Sequence, residues 1–254
     1  MTDGIRLDNI DIVLNRPRYS ENIGAAARAM RNMGLQQLVV VDPPHCELTR
    51  VLKMATHAAA DIVEQALFFD GLKEALAPYH YVAGTTARLG GQRQVIASPA
   101  QAAEKLAPLS HTNRIAVVFG PEDRGLTNED IRLCHFLVNI PTAEFSSLNL
   151  AQAVMIMCYE LSRVGHRAAK AHAPRLASRH ELDGMYDQLR DILVRISFIN
   201  NENPDYWMNN IRHFFTRLQL RAKEVSIIRG LCRQIDWYSR KCYQDGKKDR
   251  DCME

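Results

Sequence analysis

Three short polar segments hold the side chains best suited to chemistry. The first, Asn22-Ile23-Gly24-Ala25-Ala26-Ala27-Arg28, joins an amide, a run of small residues and a guanidinium in one helix-length stretch. Arg28 is a permanently charged donor fork suited to a phosphate, and residues 24–27 are small enough for a helix to press closely on a sheet or a ligand. The second, Gly120-Pro121-Glu122-Asp123-Arg124-Gly125-Leu126, follows directly on the apolar run Ile115–Phe119. Glycine at the carboxyl end of a parallel strand permits close backbone approach to a ligand, and Glu122 would hang at the mouth of that crevice. The third runs from Ile140-Pro141 to Ser147-Leu148-Asn149-Leu150, where Ser146, Ser147 and Asn149 crowd a helix start. A fourth segment, Gly84-Thr85-Thr86-Ala87-Arg88, also follows an apolar run and could cradle the same ligand. Singly, each segment also fits a plain structural role: an Ala-rich packing helix, a Gly-Pro turn with solvated charges, or helix capping.

Several chemistries are disfavoured by what is missing. Gly-Lys-Ser/Thr is absent, so the fourth segment is not a Walker loop, and no G-x-G-x-x-G follows the first strand as a nicotinamide dehydrogenase would require. No H-E-x-x-H, zinc-like cysteine spacing or G-x-S-x-G occurs, so neither a structural metal nor a serine hydrolase is expected. The six cysteines (Cys46, Cys134, Cys158, Cys232, Cys242, Cys252) form no C-x-x-C pair and read as reduced thiols.

Elements that could position these loops are legible as punctuation and periodicity. The runs Ile10–Leu14, Leu38–Val41, Tyr81–Ala83, Ile115–Phe119 and Phe136–Ile140 are rich in β-branched residues and separated by helix-length segments, the pattern of buried parallel strands in an α/β sheet. Ser20 is placed to cap a helix from Glu21 to a stop at Gly34, Thr127 to cap Asn128–Cys134, and Asn149 to open a longer helix ending at Gly165. From 165 to 178 the chain is short of large apolar residues and broken by Pro174, and reads as a linker. Three helical stretches follow, about Arg179–Ile199, Pro204–Leu218 and Arg221–Tyr243, with a frayed tail beyond.

Residues 1–162 carry 14 Lys/Arg against 17 Asp/Glu, whereas residues 163–254 carry 18 against 12. The overall charge of +3 therefore arises entirely from the C-terminal third, which suggests a polyanionic partner there or a well-solvated helical face. With no apolar leader and no run of about 18 apolar residues, a cytoplasmic protein is expected.

Taken together and in order, Asn22-x-Gly24-Ala25-x-x-Arg28, Phe119-Gly120-Pro121-Glu122-x-x-Gly125-Leu126 and Ile140-Pro141 to Ser147-Leu148-Asn149 resemble the SpoU branch of the SPOUT methyltransferases over about residues 8–164. The stretches Asn209–Arg217 and Arg229–Ile235 look like the helical extension of the bacterial tRNA (cytidine/uridine-2′-O)-methyltransferases of that family. The resemblance implies an α/β fold, a parallel sheet with helices on both faces and a C-terminal deep trefoil knot, plus a small all-helical C-terminal domain. General topology rules would have excluded the knot. The implied division is a methyltransferase domain over 1–164, the linker, and a helical extension over 179–254.

The resemblance further implies S-adenosyl-L-methionine as cofactor, held by Thr85, Thr86, Gly120, Gly125, Ile140, Ser147, Leu148 and Asn149. Implied partners are tRNA and a second copy of the chain, in a homodimer with the active site near the subunit interface. The acceptor the resemblance implies is the ribose 2′-hydroxyl of a pyrimidine in the tRNA anticodon loop, at position 32. Arg28 would act on that hydroxyl, with Asn22, Glu122, Ser147 and Asn149 positioning it, the RNA phosphate or the cofactor. A guanidinium is a poor base because its neutral form is scarce, so a phosphate held by Arg28 is the favoured proton acceptor, with Glu122 an orienter. Arg212, Arg217, Arg221, Lys223, Arg229, Arg233, Arg240 and Lys241 would meet tRNA phosphates, while Trp207, Phe214, Phe215 and Trp237 read as core or dimer contacts. Pro121 and Asp123 depart from the commoner wording of the second motif and leave nucleotide preference open. Ribosomal RNA as substrate, or a non-catalytic RNA-binding protein, are the alternatives.

Overall fold

Val, Ile and Leu dominate the short runs of the first 140 residues, and such side chains fit strands covered on both faces. The computed structural model describes residues 4–87, 96–143, 147–164, 173–200 and 202–251, and all five runs are strands in it. The chain divides into two compact units between Arg175 and Leu176. In order, the first contains β1 (Ile10–Asn15), α1 (Ser20–Met33), β2 (Leu38–Val41), α2 (Leu48–Ala55), α3 (Ala60–Glu64), β3 (Leu67–Phe69), α4 (Leu72–Leu76), β4 (Tyr81–Thr85), β5 (Ile96–Ala97), α5 (Pro99–Leu109), β6 (Ile115–Phe119), α6 (Asn128–Arg132), β7 (Phe136–Val138) and α7 (Leu150–Val164). The strands form one parallel sheet in the order β3-β2-β1-β6-β4-β7-β5. The edge strands β3 and β5 are additional to the five expected.

Alternation along the strands divides the core between two faces. Val13, Val39, Val82, Ala116 and Val118 pack with Leu72, Leu76 and Ile131 from α4 and α6. Ile12, Leu14, Val40 and Val117, equally buried, point the other way. Helix α1 packs against α2 and α7, and α7 against α5. The close approach of α1 to α2 depends on Gly24, where a Cβ would stand 2.0 Å from the carbonyl oxygen of Val51. The small residues of the first motif thus press on a helix.

Of the expected helix punctuation, the Gly34 stop and the Thr127 cap hold, the Ser20 cap does not, and the stop at Gly165 lies outside the described residues. Gly34 ends α1 in the left-handed conformation, and Thr127 forms a capping box with Asp130 at the start of α6. Ser20 does not cap α1; the cap position is Tyr19, and the Ser20 hydroxyl instead accepts from the Glu47 N–H at 2.9 Å. A serine next to a helix start was taken by the loop opposite.

At the amino ends of the central strands lies a polar clasp. Asp11 on β1 is 2% exposed, accepts the Tyr79 hydroxyl at 2.6 Å and receives Arg114 at 2.8 Å. Arg114 also lies over the Tyr79 ring, 5.1 Å from its centroid. Burial pushes the Asp11 carboxyl above the usual carboxylate range, outweighing the Tyr79 and Arg114 contacts that lower it.

The second unit holds α8 (Arg179–Arg195), α9 (Pro204–Leu218) and α10 (Ala222–Asp251) around Leu182, Met185, Tyr186, Ile199, Met208 and Val225. Ser178 forms a capping box with Glu181, and Asn203 caps α9 with Pro204 at the first helical position. Of the segment read as a linker, residues 165–172 lie outside the described ones. Ala173 and Pro174 accept hydrogen bonds from Thr112 and Asn113, while Leu176 and Ala177 are buried in the second unit. The tail expected to fray is helical to Asp251, because extending a formed helix fixes one residue per added hydrogen bond. Among the described residues no helix is long and apolar enough to cross a membrane.

The clasp makes a pH-dependent prediction. Folding raises the Asp11 carboxyl's pKa, so this group's contribution is most favourable at low pH and is lost as pH rises through the folded value. The Tyr79 hydroxyl offsets part of that loss. Tyr79→Phe should therefore cost about 1–3 kcal/mol at pH 8 and measurably less at pH 4, by urea unfolding. An equal loss at both pH values would show that the hydroxyl does not support the buried carboxylate.

Candidate functional site

Strands β6, β4 and β7 are neighbours, and Gly84 stands opposite both Val118 and Leu137. Their carboxyl ends, and the loops leaving them, therefore meet at one place, where open parallel sheets collect ligands. These loops wall a cavity of about 270 Å³, near the lower end for small-molecule sites at roughly 300 Å³. Thr85, Thr86, Gly120, Gly125, Ile140, Ser147 and Leu148 all line it.

Local hydrogen bonds hold the walls. The Gly125 N–H donates to Pro121 at 2.8 Å, turning the chain back on itself. A Cβ at Gly120 would stand 2.3 Å from the Gly125 carbonyl carbon and the Leu126 nitrogen, so glycine is required for the turn to close. Thr85 Oγ1 donates to Val118 at 3.1 Å, the Thr86 N–H donates to Val138 at 2.9 Å, and Asn139 Nδ2 donates to Thr86 at 2.8 Å.

At the mouth, three residues far apart in sequence form a hydrogen-bonded chain. Asn149 Oδ1 accepts from the Ala151 N–H at 2.9 Å, in the first turn of α7. Its Nδ2 donates to Asn22 Oδ1 at 2.9 Å, and Asn22 Nδ2 donates to Glu122 Oε1 at 2.6 Å. Glu122 Oε2 accepts from the Arg18 N–H at 2.9 Å, and the Arg18 guanidinium pairs with Asp123.

A second cavity, about 460 Å³, adjoins the first and shares Glu122, Ser147 and Leu148 with it. Tyr19, Glu21, Asn22, Arg50 and Asn149 complete its lining. Asn149 thus borders this cavity rather than the one assigned to the cofactor. Sequence reasoning did not single out Tyr19, Glu21 or Arg50; the available signal was an aromatic residue just ahead of the first motif.

Arg28 is placed elsewhere. It lies six residues beyond Asn22 on α1, about 9 Å along the helix axis, and is exposed. It lines neither cavity, and it has no hydrogen-bond or ion-pair partner among the described residues. Of the second-unit cations, Arg229 bonds Gln188, Arg240 pairs with Asp236, and Arg212 and Lys241 lie over Tyr186 and Trp237. Arg217, Arg221, Lys223 and Arg233 are exposed. Of the aromatic residues expected in a core or interface, Phe215 packs on the second-unit core, while Trp207, Phe214 and Trp237 are roughly half-exposed.

The first cavity fits the implied cofactor chemically. Val138, Ile140 and Leu126 offer apolar cover for a ring, Gly120 leaves backbone accessible, and the Glu122 carboxylate stands where a cationic centre is favoured.

Residues 9–159 match the SpoU rRNA Methylase family, and residues 180–248 match the C-terminal domain of the tRNA methyltransferase TrmJ. The tRNA (cytidine/uridine-2′-O-)-methyltransferase TrmJ of Photorhabdus laumondii is 32% identical over 92% of this chain and 100% of its own. The tRNA (cytidine/uridine/adenosine-2′-O-)-methyltransferase TrmJ of Pseudomonas aeruginosa is 37% identical over 89% of this chain and 93% of its own. The crystal structure of TrmJ from Z. mobilis ZM4 is similar with a TM-score of 0.77 and 31% identity, over 89% of this chain and 98% of that one.

The turn at Gly120 generates a direct test. Gly120→Ala forces a methyl into backbone that has no side chain to yield, and should destabilise the first unit by at least about 2 kcal/mol, read by chemical denaturation. Unaltered stability would mean that the turn has an alternative closure.

Proposed function

The chain belongs to the SpoU rRNA Methylase family, and from that membership we infer that it is an S-adenosylmethionine-dependent tRNA 2′-O-methyltransferase acting on cytidine or uridine. The observation that carries this reading is that the likeness to enzymes so named runs through both units. Its site lies at the carboxyl ends of β4, β6 and β7. The finer target is a pyrimidine in the anticodon loop, at position 32, and the enzyme works in the cytoplasm, the compartment of its substrate.

When bound, S-adenosylmethionine supplies an electrophilic methyl group on a sulfonium. Thr85, Thr86, Gly120, Gly125, Ile140, Ser147 and Leu148 would hold it. The protein's remaining task is to place a ribose hydroxyl in line and to remove its proton. Both Glu122 oxygens already accept N–H groups, so Glu122 orients its neighbours and does not take the proton. Asn22, Asn149 and Ser147 border the second cavity and position the nucleotide beside the methyl donor. Arg28 clamps an RNA phosphate that accepts the proton. Because Arg28 is exposed and away from both cavities of its own chain, the arginine of a second copy completes each site, and the working form is a homodimer.

The deep knot belongs to the same reading. It is supported by β7, which lies between the earlier strands β4 and β5 before the chain returns as α7 against α1 and α5. The methyltransferase domain, the linker and the helical extension then divide the labour, with Arg217, Arg221, Lys223 and Arg233 offering exposed charge to tRNA phosphates.

Three outcomes follow. Arg28→Ala should lower methyl transfer by at least about 100-fold while calorimetry finds cofactor binding unchanged; full activity in that variant would remove Arg28 from the reaction. Labelled methyl from the cofactor should enter tRNA, at an anticodon-loop pyrimidine, and labelling confined to ribosomal RNA would favour the alternative substrate. The affinity of the full chain for tRNA should fall steeply between about 50 and 200 mM salt, and a flat response would discount the basic helices.

A further inference from the structure

We propose that the second cavity receives the target nucleobase and that Tyr19 is the platform on which the base stacks. This rests on the methyltransferase reading above and adds the residue that grips the base. Position comes first. The cavity shares Glu122, Ser147 and Leu148 with the cofactor cavity, so a nucleotide whose base occupies it has its ribose at the common boundary, where the methyl group must be received.

Tyr19 has the exposure and the rigidity of a platform. It is 59% exposed, and its hydroxyl has no hydrogen-bond partner among the described residues. Its backbone, by contrast, is held. The preceding Arg18 N–H donates to Glu122 at 2.9 Å, the Tyr19 carbonyl accepts from the Asn22 N–H at 3.0 Å, and the following Ser20 hydroxyl accepts from the Glu47 N–H at 2.9 Å. A large aromatic ring on a clamped backbone costs little further ordering when a flat ligand lands on it.

Charge selects the base over the phosphate. Glu21 and Glu122 line the cavity, and Arg50, the one cation among the described lining residues, is already shared between Glu21 at 3.2 Å and Glu47 at 2.8 Å. A phosphate would meet net negative charge there. A neutral planar base would meet an aromatic face with polar groups at the rim, and stacking accepts any base because each has a π-face.

The test compares the full-length wild type with Tyr19→Phe and Tyr19→Ala, reading kcat and KM for tRNA, cofactor affinity by calorimetry and molecular mass by light scattering. Tyr19→Phe should stay within about threefold of wild type, because the ring face is retained. Tyr19→Ala should lower kcat/KM for tRNA by about 5- to 150-fold, with cofactor affinity and mass unchanged. Wild-type kcat/KM in Tyr19→Ala, or a Phe variant as impaired as Ala, overturns the platform while leaving the methyltransferase reading intact. Lost cofactor binding or altered mass in Tyr19→Ala also overturns it, making Tyr19 a scaffold or assembly residue. A wild-type chain that transfers no methyl to tRNA instead defeats the underlying reading, and the platform with it.

Discussion

The hydrogen-bonded chain from α7 through Asn149 and Asn22 to Glu122 is the constraint on which the site depends. Its direction is determined from one end. The Asn149 oxygen is committed to the N–H groups at the start of α7, so its amide nitrogen must donate. Asn22 can then only accept with its oxygen and donate with its nitrogen, which requires an acceptor at residue 122. A carboxylate meets that requirement, with a second oxygen left for the Arg18 N–H. Amide orientations are ordinarily a matter of choice between two flips, but here the helix terminus decides both. Because Asn22 is only 9% exposed, an unmade link would leave a largely buried polar group without a partner.

This chain also ties the turn after β6 to α1 and α7, two helices that already pack on each other. Asn22 belongs to α1, Glu122 to the turn after β6 and Asn149 to the entry of α7. Gly24, two residues beyond Asn22, lets α1 approach α2, while Gly120, two residues before Glu122, lets the β6 turn fold onto Leu126. The glycines set where the two backbones lie, and the polar chain sets how their side chains meet. Apolar surface is then concentrated in one cavity: Phe119, Leu126, Val138, Ile140 and Ala153 line the first, whereas Leu148 is the one aliphatic side chain among the described residues lining the second; charged residues line both.

Much of the fold was legible because the central strands are buried on both faces and so read as unbroken apolar runs. The two strands that escaped notice are the sheet edges. Leu67 and Phe68 on β3 are about half-exposed, and β5 is two residues long, so neither carries the composition of an interior strand. Ser20 was misread for a different reason: its type suits a cap, yet the partner that claims its hydroxyl, Glu47, is 27 residues away. The same separation hides the site. The motif residues were visible singly, but nothing local in the sequence says that residues 22, 122 and 149 share hydrogen bonds, that Asn149 faces the second cavity, or that Arg28 faces away from both. Tyr19 precedes α1 and Arg50 is an exposed residue of α2, so no apolar period marks either, and only the assembled fold gives them a common cavity.

The sheet resolves opposing demands by separating them along its strands. At the amino ends, the buried Asp11 is enclosed by Tyr79 and Arg114, and these side chains are occupied with one another. At the carboxyl ends, parallel strands leave loops instead of a second clasp, and the polar groups there are only partly enclosed. A buried carboxylate is tolerable at the first end because its partners are fixed by neighbouring strands, whereas a site that must admit a ligand cannot be closed in that way. The polar chain at the mouth lies between these extremes. It satisfies the groups that remain buried and holds Glu122 in place, while Ser147 and Tyr19 stay exposed at the cavity edges. Among the described residues, contacts beside the cavities therefore hold the β6 turn and Glu122 in place.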